Sequence, residues 1–121
     1  MNFESVETLV SGRCPGVKYQ IRRVTFRRRM ELVGEIRKLA ERLEFLAAGK
    51  DLKDQIDAAL VAGEVDEAYL RWGLASIEGL EVDGKAASTE ILLADGPEEL
   101  VQEIVAAIKS RLSLSEEERK N

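Results

Sequence analysis

The sequence predicts a mainly helical α+β fold, with about four helices and a small antiparallel sheet made of an N-terminal strand and one β-hairpin. Three observations carry this. Over two long stretches, from Phe26 to Ala47 and from Leu52 to Trp72, apolar side chains recur at steps of three and four, the period of a helix buried along one face. Val17, Tyr19 and Ile21 alternate with Lys18, Gln20 and Arg22, the period of a half-buried strand. Asp83-Gly84 stands between apolar positions, and this dipeptide suits a type I′ hairpin turn because both of its central residues need positive φ.

The elements follow in order. The first ten or so residues lack periodicity and Ser11-Gly12-Arg13-Cys14-Pro15-Gly16 is rich in turn formers, so residues 1–16 are expected to be a flexible N-terminal segment. A strand is expected from Val17 to Val24. Thr25 can cap a long helix carrying Phe26, Met30, Val33, Ile36, Leu39, Leu43 and Leu46, and Gly49 ends it. Leu32, Leu39 and Leu46, with Phe45, widen its apolar stripe, which points to contact with more than one neighbour or with a partner chain. Asp51 can cap a second helix bearing Leu52, Ile56, Leu60, Val65, Tyr69 and Trp72, stopped by Gly73. Gly63 in its middle costs about 1 kcal/mol relative to Ala, which suggests close packing or a local break there. Beyond the hairpin, Ser88 can cap a short helix through Leu93 that Gly96 closes. Pro97, at the first helical position, then opens a final amphipathic helix on Leu100, Val101, Ile104, Val105, Ile108 and Leu112. Ser115-Glu116-Glu117-Glu118 matches a capping box, yet little apolar follows it, so residues 113–121 are expected to fray.

A chain of 121 residues with 45% hydrophobic and 34% charged residues suits one domain over residues 1–121, with enough apolar content for a core. Apolar runs are only a few residues long, against the roughly 20 that a membrane-crossing helix needs. The N-terminus carries Glu4 and Glu7 where a secretory leader would be basic, so a cytoplasmic location is expected. Cys14 is the single cysteine, and there is no histidine. This removes an intramolecular disulfide, a Ser-His-Asp triad, a histidine metal site and a histidine base for a thiolate. The net charge of −5 conceals a segregation. From Arg13 to Lys50 there are 11 Lys/Arg against 4 Asp/Glu, whereas Asp51 to Asn121 holds 7 against 17. Such a chain can pair its halves internally or steer an acidic partner to its basic part.

Arg22, Arg23, Arg27, Arg28 and Arg29 straddle the predicted junction of strand and helix. Guanidinium groups suit phosphates and carboxylates, so nucleic acid, an acidic protein and a solvated or internally paired face are all open readings. Nucleic acid is disfavoured by the acidic chain, its few aromatics, and Glu31, Glu35, Glu41 and Glu44 farther along the same helix. The spacing from Gly84 to Glu90 matches a calcium loop, but Gly79 stands at the first ligand position, so no metal site is expected. Tyr69 and Trp72 could anchor an interface or belong to the core. No carboxylate pair lies in an apolar setting and no glycine loop fits a phosphate, so neither a catalytic residue nor a cofactor is expected, nor a small-molecule substrate.

From Tyr19 to Asn121 the order of these marks resembles small proteins of phage and prophage tail modules, of the tail assembly chaperone type. The resemblance rests on the basic junction Arg22-Arg23-Val24-Thr25-Phe26-Arg27-Arg28-Arg29, on Trp72-Gly73-Leu74 and on Glu78-Gly79-Leu80-Glu81-Val82-Asp83-Gly84. Gly96-Pro97-Glu98-Glu99-Leu100 and the closing Leu114-Ser115-Glu116-Glu117-Glu118-Arg119-Lys120-Asn121 complete it. It implies a non-catalytic viral protein that binds the tape-measure and tail-tube proteins during assembly, with self-association as the other partner reading. For this family the ending at Asn121 looks abrupt, which leaves open a longer natural C-terminus. Arg22, Arg23, Arg27, Arg28, Arg29, Leu32, Leu39, Leu46 and Trp72 are the residues expected to meet a partner. A structural virion subunit, such as a head-tail connector or tail-completion protein, is the alternative, and a small nucleic-acid-binding regulator the third.

Overall fold

The computed structural model describes the backbone of residues 1–120 and the side chains of residues 1–113. Its elements in chain order are β1 (Val6–Val10), β2 (Lys18–Arg22), α1 (Phe26–Ala47), α2 (Leu52–Gly73), β3 (Leu74–Glu78), β4 (Glu81–Val82), β5 (Lys85–Ala86), α3 (Thr89–Asp95) and α4 (Glu98–Lys120). The α+β class, with four helices and a small antiparallel sheet, is as expected. The chain forms two compact units, one of Met1–Val24 and Leu70–Asn121, the other of Thr25–Tyr69.

In the first unit β2 is the central strand, antiparallel to β1 on one side and to β3 on the other. Tyr19 faces Leu9 in one register and Ile77 in the other, and the pairing with β3 shifts between Gln20 and Ile21. Two expectations need correction here. The N-terminal segment expected to be irregular contains β1, whose pattern of Val6, Thr8 and Val10 against Glu7 and Leu9 does not alternate cleanly by polarity. The Asp83-Gly84 hairpin does not join β2 but forms its own two-stranded sheet of β4 and β5. Its turn is nonetheless of the expected kind, with φ of 51° at Asp83 and 80° at Gly84.

Alternation along β2 buries Tyr19 and Ile21, and Val17 just before it, on one face. Leu100, Ile104 and Ile108 recur every four residues on α4 and are all buried, as are Leu92 on α3, Leu74 on β3, and Leu70 and Trp72 near the end of α2. Burying each such side chain contributes about 1.5–3 kcal/mol, so this cluster is the main apolar store of the unit. Gly73 permits close packing, because a Cβ there would lie 2.5 Å from Ile108 Cδ1. Gly79 is more constrained still. Its φ is +82°, and a Cβ would collide with the Gly16 carbonyl oxygen.

One carboxylate fixes the connection between β1 and β2. Glu103 Oε1 on α4 accepts hydrogen bonds from Ser11 Oγ at 3.1 Å, Gly12 N at 3.0 Å and Arg13 N at 2.9 Å. Ser11 Oγ in turn accepts from the backbone N–H groups of Arg13 and Cys14 at 3.2 and 2.9 Å. The turn formers at Ser11 to Gly16 thus build a cradle of donors for a side chain some ninety residues away. Desolvation resists ionisation of Glu103, but hydrogen bonds from Arg13 N–H, the Tyr19 hydroxyl, Ser11 and Gly12 outweigh it and hold the carboxyl below its ordinary range. Conversely, desolvation, reinforced by Glu103, pushes the Tyr19 hydroxyl up to about 12. Glu103 Oε2 is buried and has no hydrogen-bond partner among the described residues. Beside it, Arg111 makes a bidentate pair with Glu7 at 3.3 and 3.0 Å, which ties β1 to α4 and keeps the Glu7 carboxyl low.

The second unit is a helical hairpin. Thr25 caps α1 as expected, its side chain accepting from Arg28 N. In the first unit Ser88 caps α3 in the same way, through Ile91 N. Pro97 lies one residue outside α4, whose first bonds run from Leu100 N and Val101 N to its carbonyl. Gly63 departs from expectation: α2 continues through it unbroken, and a Cβ built there would meet nothing within 4 Å. Gly34, inside α1, is equally open. Replacing Gly34 by Ala should therefore stabilise the protein, by about 0.5–1 kcal/mol through lost unfolded-state entropy. A lower thermal midpoint for Gly34→Ala would contradict this. The expected fraying of residues 113–121 and the Ser115–Glu118 capping box lie, from Leu114 on, outside the described side chains.

Candidate partner-binding surface

The short connection from Ala48 to Asp51 turns the chain back on itself and sets α2 antiparallel to α1 within the second unit. The two helices leave a groove of about 720 Å³ lined by Lys38, Glu41, Arg42, Phe45 and Leu46 from α1 and by Asp57, Leu60, Val61 and Glu64 from α2. Val61 is buried at its floor. Phe45 and Leu60 stand at its edges with 80% and 63% of their surface exposed. Lys38 and Arg42, with Glu41 between them, lie on the α1 wall, and Asp57 and Glu64 on the α2 wall, bridged by an exposed Arg42–Glu64 pair at 3.9 Å. Pairs so exposed contribute little to stability, so the groove charges remain available to a ligand at small cost.

Of the expected partner residues, the structure brings Leu46 into this groove and leaves it half-buried. Leu39 is half-buried on α1 without lining it. Leu32 and Trp72 are corrected from partner contacts to core, since both are buried. Leu32 begins a row with Ile36, Leu39, Leu43 and Leu46, at alternating steps of four and three, whose other members are half-buried. The arginine cluster does not stay together as one element. Arg22 and Arg23 belong to the first unit and are exposed, whereas Arg27, Arg28 and Arg29 belong to the second. Arg27 is exposed, and Arg28 pairs with Glu31 at 3.6 Å.

In the sequence Phe45 only widens the α1 stripe, and Leu60 is one of the apolar residues of α2. The signal that could have separated them from the half-buried row is their offset from the four-three repeat. The remaining candidates hold no ligand geometry. Among the described residues no group of three or more acidic or thiol side chains is placed to hold a metal ion. Glu90, the last position of the calcium-like spacing, makes a bidentate pair with Arg71 at 2.9 and 3.1 Å. Among the described residues, no helix is long and apolar enough to cross a membrane. No family model, curated protein or solved structure matches this chain.

Proposed function

We propose that the protein is a non-catalytic binding factor of the phage tail assembly chaperone type, whose helical hairpin holds an apolar helix of a tail protein, such as the tape measure, during assembly in the bacterial cytoplasm. The observation that carries this reading is the groove between α1 and α2, where Phe45 and Leu60 are exposed over the buried Val61. An amphipathic helix laid along it would cover these side chains, and its polar flanks would meet Lys38 and Arg42 on one side and Asp57 and Glu64 on the other. The sequence resemblance supports the choice of partner. The groove's mixed charge favours a protein over nucleic acid, whose phosphates Asp57 and Glu64 would repel.

Co-expression with the tape-measure protein of the same tail module tests the reading. The wild-type chain should increase the soluble yield of that protein and co-purify with it. Phe45→Ser/Leu60→Ser should abolish both while leaving the circular dichroism spectrum unchanged, because both residues are exposed. Equal solubilisation by the variant would exclude the groove. Recovery of the protein as a stoichiometric component of purified particles would move the reading to a structural virion subunit.

A further inference from the structure

The outer face of α2 carries a second apolar surface that the groove does not account for. Leu52, Ile56 and Leu60 are 71%, 54% and 63% exposed, and Ala59 is exposed between them. Steps of four from Leu52 through Ile56 to Leu60, and of three from Ile56 to Ala59, keep these four residues on a single stripe. Gly63 continues it and is open: a Cβ there would meet nothing within 4 Å. A glycine inside an unbroken helix costs stability, yet here it neither breaks the helix nor accommodates a neighbour within the chain.

The charges beside the stripe select what can cover it. Lys53 and Glu64, both exposed, are separated by about three helical turns and so lie on the same flank. A second copy of α2 laid antiparallel, with the two-fold axis between Ala58 and Ala59, sets Lys53 beside the partner subunit's Glu64, and Glu64 beside the partner subunit's Lys53. The same register places Ile56 against the partner's Leu60. It also brings Leu52 toward the partner's Gly63, whose missing side chain makes room for it. A parallel two-fold pair would instead put the two copies of Lys53 and Glu64 on opposite sides of the seam, where they could not meet. Such a self-complementary patch is what an isologous two-fold interface requires.

We infer that the protein pairs with a second copy of itself through the outer face of α2, antiparallel, with Leu52, Ile56, Ala59, Leu60 and Gly63 in the seam and Lys53–Glu64 pairs at its two ends. The seam is short and lies at the small end of specific interfaces, so the dimer is reversible and dissociates on dilution. The pairing does not depend on the tail-assembly reading. It shares Leu60 and Glu64 with the groove.

Sedimentation equilibrium of the intact protein, from about 1 μM to about 200 μM, tests it. The wild-type mass should rise with concentration from 13.5 kDa toward twice that value. Lys53→Glu and Glu64→Lys should each weaken association about tenfold or more by placing like charges together, and the double reversal Lys53→Glu/Glu64→Lys should restore it. Restoration by the double variant separates the interface from any loss of folding. Loss of the exposed intrachain pair between Arg42 and Glu64 has little effect by itself. A monomer at every concentration overturns the inference, as does a dimer indifferent to charge reversal. If such a monomer still solubilises the tape-measure protein, the pairing fails and the proposed function stands.

Discussion

Replacing Gly79 by Ala is expected to destabilise the protein by about 2–4 kcal/mol, enough to lower the thermal midpoint by about 10 °C. Two separate terms combine. An L-residue at φ +82° costs roughly 1–2 kcal/mol. The added methyl would also collide with the Gly16 carbonyl oxygen, a backbone atom that cannot rotate away as a flexible side chain could. Gly84 supplies the control, because its φ of +80° is nearly the same but a Cβ there meets nothing within 4 Å. Gly84→Ala should lose only the conformational term. Thermal or urea unfolding of both variants therefore isolates the steric part, and equal losses would disprove the close approach of Gly79 to Gly16.

Glu103→Ala is expected to cost about 2–3 kcal/mol, since three donors converge on Oε1 and lose a charged acceptor together. Glu103→Gln keeps an acceptor and should lose about half as much. The effect depends on pH in a fixed direction. The folded carboxyl lies below its ordinary value of 4.5, so its contribution is complete above that value and disappears as pH falls through the lower folded value. The stability gap between wild type and Glu103→Gln should accordingly narrow on acidification. Glu7, also lowered through its Arg111 hydrogen bonds, leaves a residual acid dependence in both proteins. At the other extreme the Tyr19 hydroxyl, raised from 10 to about 12, favours the folded state below pH 10 and withdraws that support as pH rises through 12. In Glu103→Gln this upper value should fall, because the carboxylate raises it both through its hydrogen bond and through its charge. With only two tyrosines in the chain, an ultraviolet titration can follow it. A Tyr19 titration unchanged by the substitution would separate the two groups.

Where local chemistry decides a structure, the sequence was legible. The Thr25 and Ser88 caps, the alternation that buries Tyr19 and Ile21, the Asp83-Gly84 turn and the four-residue repeat of α4 each depend on neighbours close in the chain. Strand pairing depends on distant neighbours, and there the reading departs from the structure. Nothing within Val6–Val10 signals that β2 will adopt it as an edge, nor that β3 rather than the hairpin will take the other side. Glu103 looks like any solvated glutamate of an amphipathic helix until Ser11, Gly12 and Arg13 are brought to it. At the candidate surface, periodicity marked the apolar positions of α1 and α2 correctly. It could not tell a buried position, as at Leu32, from one left at the surface, as at Phe45 and Leu60.

The discontinuity of the first unit has a consequence for synthesis on the ribosome. Met1–Val24 leaves the exit tunnel first, but β3 and α4, against which β2 completes its pairing and packing, are made only after the whole helical hairpin. At about 5–20 residues per second that interval lasts seconds, whereas a helix forms in about a microsecond. The hairpin can therefore be structured, with Phe45, Ile56 and Leu60 exposed, while the β-sheet of the same nascent chain still waits for its third strand.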